Sequence, residues 1–122
     1  MYELEVYRSF SAAHQLKGYN GDCSKLHGHN WEVTIVMAVK ELDTVGIGMD
    51  FKVLKRELDR ILGEFDHANL SELPDFAAMN PTSENLARLI YKKLAAELDD
   101  GNVKVGRVKV SESPSSTATY YE

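Results

Sequence analysis

Three of the chain's four histidines are spaced for metal chemistry. His27 and His29 flank one glycine, and residues two apart on an extended strand leave the same face. His14 lies upstream, where an antiparallel partner strand would carry it beside them. Three neutral imidazoles around one point are the nitrogen set of a catalytic zinc site, whose fourth tetrahedral position stays open to water or substrate. Gly28 between the two rings would let the backbone approach closely. The plainer reading of His27-Gly28-His29 is a polar hairpin edge. Cys23, the single cysteine, precedes His27 by four positions and has two possible roles. As a thiolate it would complete a closed Cys-His-His-His structural site. As a free thiol near a cation, its pKa would fall from about 8.5 and it would act as a base or nucleophile.

Asp66 and His67 form an adjacent acid-imidazole pair after an apolar segment. Neighbours in sequence bond side chain to side chain less reliably than residues joined by folding. The plainer reading is therefore a histidine near the negative end of a helix. Glu112 ends a run of valines and basic residues, with Val108 and Val110 before it on one face. A solvated glutamate is the ordinary case there. A buried one needs a cationic or N–H donor partner, which the guanidine-like edge of a heterocycle supplies bidentately.

Tyr2, Leu4 and Val6 alternate with polar neighbours, as do Trp31, Val33, Ile35, Met37 and Val39, which predicts two half-buried strands. The loop-like Gly18 to Asp22 between them makes a long-looped antiparallel hairpin. Phe51, Leu54, Leu58, Ile61, Leu62 and Phe65 then recur at helical spacing behind Asp50 as N-cap. Asp66 to Asn80 is irregular and long enough to carry function. Pro81-Thr82-Ser83-Glu84 opens a second helix, with Thr82 or Ser83 as cap and an apolar stripe through Leu86, Leu89, Ile90, Leu94 and Leu98. Asp99 to Asn102 stops it. Val103 to Glu112 is β-rich, and Ala118 to Tyr121 is a last strand after the turn at Ser113 to Ser116. The order β-β-α-α-β-β predicts an α+β fold, one domain over 1–122, with both helices on one face of an antiparallel sheet.

At 122 residues, 43% hydrophobic and 27% charged, the composition is that of one globular domain. A net charge of −5 and no Lys/Arg cluster longer than a pair exclude nucleic-acid binding as its main task. No apolar run approaches the ~20 residues of a membrane span. A lone cysteine allows no intrachain disulfide, and Met1-Tyr2-Glu3-Leu4-Glu5-Val6 lacks the basic and apolar regions of a signal peptide. The cytoplasm is the expected location.

Taken together, Phe10-Ser11-Ala12-Ala13-His14, Cys23-Ser24-Lys25-Leu26-His27-Gly28-His29-Asn30, Met49-Asp50-Phe51, Asp66-His67, Pro81-Thr82-Ser83-Glu84-Asn85 and Ser111-Glu112 strongly resemble the 6-pyruvoyltetrahydropterin synthase / 6-carboxytetrahydropterin synthase family, in order and over essentially the whole chain. Three residues separate Cys23 from His27, a spacing similar to that of the bacterial 6-carboxytetrahydropterin synthases of queuosine biosynthesis. The resemblance implies a tunnelling fold, in which strands of three subunits close a barrel and two trimers stack into a hexamer with active sites between subunits. It implies zinc on His14, His27 and His29, Cys23 as proton-abstracting base, and His67 with Asp66 and Glu112 as a supporting relay. Glu112 would also hold the pterin's aminopyrimidine edge, with Thr82 and Glu84 in the pocket.

The implied reaction turns 7,8-dihydroneopterin triphosphate into 6-carboxy-5,6,7,8-tetrahydropterin, acetaldehyde and triphosphate, the work of a carbon-carbon lyase. The pyruvoyl branch would stop after triphosphate elimination, and a third reading is a non-catalytic zinc-binding oligomer. An aldolase-like subgroup carries glutamate where this chain has Cys23. Against the chain's negative charge, Lys25, Arg8 or Lys17 would have to meet the triphosphate.

Overall fold

The computed structural model describes all 122 residues. Strand β1 (Tyr2–His14) and strand β2 (His27–Val39) are followed by helices α1 (Phe51–Leu62) and α2 (Ser83–Leu98), then strands β3 (Val103–Ser113) and β4 (Ser116–Tyr120). The sheet runs β1-β2-β3-β4, antiparallel throughout. This is the α+β arrangement in β-β-α-α-β-β order that the residue pattern predicts.

Alternation fixes which face of the hairpin is covered. Val6, Phe10, Ala12 and His14 of β1 are buried, as are Trp31, Val33, Ile35, Met37 and Val39 of β2. Leu54, Leu58 and Ile61 of α1 and Leu86, Ile90 and Leu94 of α2 complete the same core. The Asp50 carboxylate accepts from the Lys52 N–H at 2.8 Å, and the Thr82 hydroxyl accepts from the Asn85 N–H at 3.1 Å, so each helix starts at a side-chain cap. Phe51 departs from the expected stripe. It is 47% exposed at the first turn of α1, in a shallow apolar hollow with Tyr2, Leu4 and Leu42.

A bulge in β3 sets the position of Glu112. Val36 pairs with Arg107 and Met37 with Val105, which leaves Gly106 as an extra residue. A Cβ there would lie 3.1 Å from the Val36 carbonyl oxygen, so glycine suits the crowded bulge. The insertion switches parity, and Val103 and Val105 before it and Val108 and Val110 after it are all buried. Glu112 follows in that phase, at a second register shift between Ser111 and Ser113.

The outer edge of β1 is covered at its far end by the segment 66–80. The Ser11 N–H donates to Asp66 at 3.0 Å and the Ala13 N–H to the Ala68 carbonyl at 3.0 Å. Beyond the strand, Gln15 N–H donates to Ser71 Oγ at 2.9 Å and Lys17 N–H to Asn80 Oδ1 at 2.9 Å. Every second residue from 11 to 17 thus has a partner that is not a strand, which blunts this stretch of edge. The expected irregular loop is built this way, with short 3-10 turns at Leu70–Glu72 and Pro74–Phe76.

Candidate metal centre and its surroundings

The hairpin register places His14 opposite His27 and Ala12 opposite His29, so the three rings meet at one end of the sheet. One ligand nitrogen from each lies within 4.8 Å of the other two. His14 Nδ1 is 2.8 Å from the Pro81 carbonyl oxygen, and His27 Nδ1 is 2.7 Å from that of Lys25. A carbonyl only accepts, so both Nδ1 atoms carry the proton and both Nε2 atoms of the neutral rings present lone pairs. Those two Nε2 atoms are 2.9 Å apart. Two lone pairs at that distance repel unless a proton or a metal ion lies between them. His29 Nε2 is buried without any hydrogen-bond partner, and the nearest carboxylate oxygen, on Glu112, is 3.9 Å away. An orphaned buried nitrogen beside two facing lone pairs is what a bound divalent cation satisfies.

Burial pushes the pKa of His14 below the usual histidine value, against the opposing pull of the Pro81 carbonyl. Burial lowers that of His29 as well, with Glu112 acting in the opposite sense. Both rings therefore favour the neutral form that metal ligation requires. Trp31 forms the floor. Its ring meets those of His14 and His29 edge-on at 4.8 and 5.2 Å, and its Nε1–H donates to the Ala12 carbonyl at 3.1 Å. A Cβ at Gly28 would meet only Ala12 O at 3.8 Å, so no protein group crowds this position, which borders the hollow beside His29.

Cys23 lies in the 3-10 turn Asp22–Ser24, half-buried, and its sulfur is not in the group of converging ligand atoms. Asp66 Oδ2 and His67 Nδ1 stand 3.0 Å apart, an ion pair when the ring is protonated. The reason is local: His67 has φ 60, the left-handed region, with its own N–H donating to the Ser11 carbonyl. The Ser11 N–H, and after it His67, holds the Asp66 carboxyl below the usual carboxylate range. The His67 side chain is 82% exposed, and α1 ends at Leu62, too early for a helix-end role.

Two open hollows lie at this end, one reaching His29 and the other holding Glu112. One, of about 540 Å³, is lined by Ser11, Gly28, His29, Asn30 and His67 among others. The other, of about 460 Å³, is lined by Glu84, Glu112, Ser116 and Thr117 among others. Cys23 borders neither. Thr82 Oγ1 is engaged in capping α2. Arg8 Nε donates to Asp59 of α1 at 2.8 Å on the surface.

A family model described as 6-pyruvoyl tetrahydropterin synthase matches residues 3–122. The chain belongs to the 6-pyruvoyl tetrahydropterin synthase family. Within it, the 6-carboxy-5,6,7,8-tetrahydropterin synthase of Bacillus subtilis is 35% identical over 126 aligned positions, covering 98% of this chain and 84% of the relative. A dihydroneopterin monophosphate aldolase of Pyrococcus furiosus is 36% identical, covering 88% of this chain and 87% of its own. Among solved structures, the Caenorhabditis elegans 6-pyruvoyl tetrahydropterin synthase superposes with a TM-score of 0.87 at 28% identity, covering 99% of this chain and 95% of that one. The four-stranded sheet with two helices is therefore the family's tunnelling fold.

Several contributors to the site escape a residue-type reading. The carbonyls of Pro81 and Lys25, which orient two rings, are main-chain groups. The parity switch of the valines across Gly106 was the available signal for the bulge that aims Glu112.

Proposed function

We propose that this chain is a zinc-dependent carbon-carbon lyase that converts 7,8-dihydroneopterin triphosphate and water to 6-carboxy-5,6,7,8-tetrahydropterin, acetaldehyde and triphosphate, a cytoplasmic step of queuosine and 7-deazapurine synthesis. The observation that carries this reading is the convergence of His14, His27 and His29 with both Nδ1 protons tied to carbonyls and the His29 nitrogen left over. A zinc ion held there supplies Lewis acidity to hydroxyl oxygens on the pterin side chain. Cys23 takes a proton from the neighbouring side-chain carbon as thiolate. Asp66, with its carboxylate 3.0 Å from His67 Nδ1, would stabilise the protonated ring as His67 accepts or returns a proton. Glu112 accepts from the N–H donors of the aminopyrimidine edge, with Glu84 in the same hollow and Thr82 as a further pocket residue. Lys25 and Lys17 are the cationic side chains offered to the triphosphate.

The catalytic unit is an oligomer, a hexamer of two trimers with sites between subunits. Two features support this reading: the outer edge of β4 carries no strand partner, and the His67 ring stands largely exposed beside its hollow. No helix is long and apolar enough to cross a membrane. The carboxy branch is supported by the three residues between Cys23 and His27 and by the similarity to the Bacillus subtilis relative.

Products decide the branch. With zinc-loaded protein and dihydroneopterin triphosphate, a coupled alcohol dehydrogenase should report one acetaldehyde per substrate consumed, alongside 6-carboxytetrahydropterin by mass spectrometry. A flat coupled signal while a pyruvoyl pterin accumulates would instead assign 6-pyruvoyltetrahydropterin synthase activity.

A further inference from the structure

We propose that Asn80 is a positioning residue of the metal centre: by clamping the main chain of Lys17 it fixes the Pro81 carbonyl against His14 and so sets that ring as a ligand. The inference rests on the proposed metal-binding role of the three histidines.

The clamp has two arms. Asn80 Oδ1 accepts from the Lys17 N–H at 2.9 Å, and Asn80 Nδ2 donates to the Lys17 carbonyl at 2.8 Å. A side-chain amide here takes the place of a neighbouring strand, reading both main-chain groups of one residue. Lys17 is three positions beyond His14, where β1 has ended and the ladder with β2 no longer holds the chain. The far side of Asn80 is equally fixed. Its own carbonyl accepts from Asn85 Nδ2 at 2.8 Å and from the Thr82 N–H at 2.9 Å, tying it to the first turn of α2. Pro81 lies between these anchors, is buried, and has no N–H of its own to tether it. Its carbonyl is the acceptor that selects the His14 tautomer. A ligand's outer hydrogen bond orients the ring and raises its basicity, and losing such a partner commonly costs 10- to 100-fold in metal affinity.

The same chain contains a built-in control. Asn102 clamps Glu41 with matching arms, Oδ1 accepting from the Glu41 N–H at 2.8 Å and Nδ2 donating to its carbonyl at 2.9 Å. Glu41 follows β2 at the end of the sheet opposite His27. An amide clamp that acts only on stability should behave alike at both places.

The test measures zinc affinity of the full-length apoprotein by competition with a chromophoric chelator, beside the visible spectrum of the cobalt-loaded form and a thermal melt. Asn80→Ala should bind zinc about 10- to 100-fold more weakly than wild type with a shifted cobalt band. Asn102→Ala should melt lower yet bind zinc as wild type does. Asn80→Asp, which keeps an acceptor for the Lys17 N–H but sets a carboxylate oxygen against its carbonyl, should also weaken zinc, and it decides the matter if Asn80→Ala does not fold. Wild-type affinity in the folded Asn80 variants, or an equal loss in Asn102→Ala, overturns the positioning role alone. A wild-type protein that takes up neither zinc nor cobalt overturns the metal reading itself, and the positioning role with it.

Discussion

The Cys23→Ala protein is expected to keep close to one zinc per chain while turnover falls by about 10² to 10⁴-fold, the usual contribution of a positioned base. The three histidine nitrogens converge without the sulfur, so removing the thiol takes no ligand from the centre. His27→Ala should do the opposite and release the metal, because it deletes one of three ligands. Elemental analysis beside a thermal melt separates the outcomes. Lost zinc and a lowered melting temperature in Cys23→Ala would make the cysteine a fourth ligand of a closed structural site.

The second large effect is expected at Glu112. Glu112→Gln should reduce turnover by roughly 30-fold to nearly a thousandfold, corresponding to about 2 to 4 kcal/mol, with zinc content and fold retained. A carboxylate can accept from two N–H donors at once, whereas the amide must turn one donor toward them. Glu112 is partly open in the free chain, in the hollow it shares with Glu84, and a bound pterin would close it off from water. Its oxygen stands 3.9 Å from His29 Nε2, so neutralising it leaves the ligand set intact. Steady-state kinetics with the metal content measured on the same sample is the check. Wild-type kinetics would place Glu112 among solvated side chains.

How much of this was legible in the residues depends on how local each cause is. The hairpin was readable because strand alternation is a period of two over many positions, and it carried His14, His27 and His29 to one face without further information. Helix starts at Asp50 and Thr82 were readable because a cap and its amide lie within three residues. The Arg8–Asp59 pair was not legible, because the partner is 51 positions away on α1. Phe51 fits a helical stripe by spacing, but at the first turn it projects past the core's edge. The closeness of Asp66 and His67 depends on a single left-handed residue held by the edge of β1, which no propensity encodes. The placement of Glu112 needed two register shifts in one strand, and only the valine parity across Gly106 hints at the first.

X-ray absorption at the zinc edge separates a three-histidine centre from one that includes Cys23, since nitrogen and sulfur ligands differ in both distance and scattering. The expected result for the zinc-loaded wild-type protein is a shell of three imidazole nitrogens at about 2.0 to 2.1 Å, with the remaining ligand an oxygen at similar distance. A sulfur at about 2.3 Å would contradict it, because Cys23 would then be bound to the metal and unable to serve as the base.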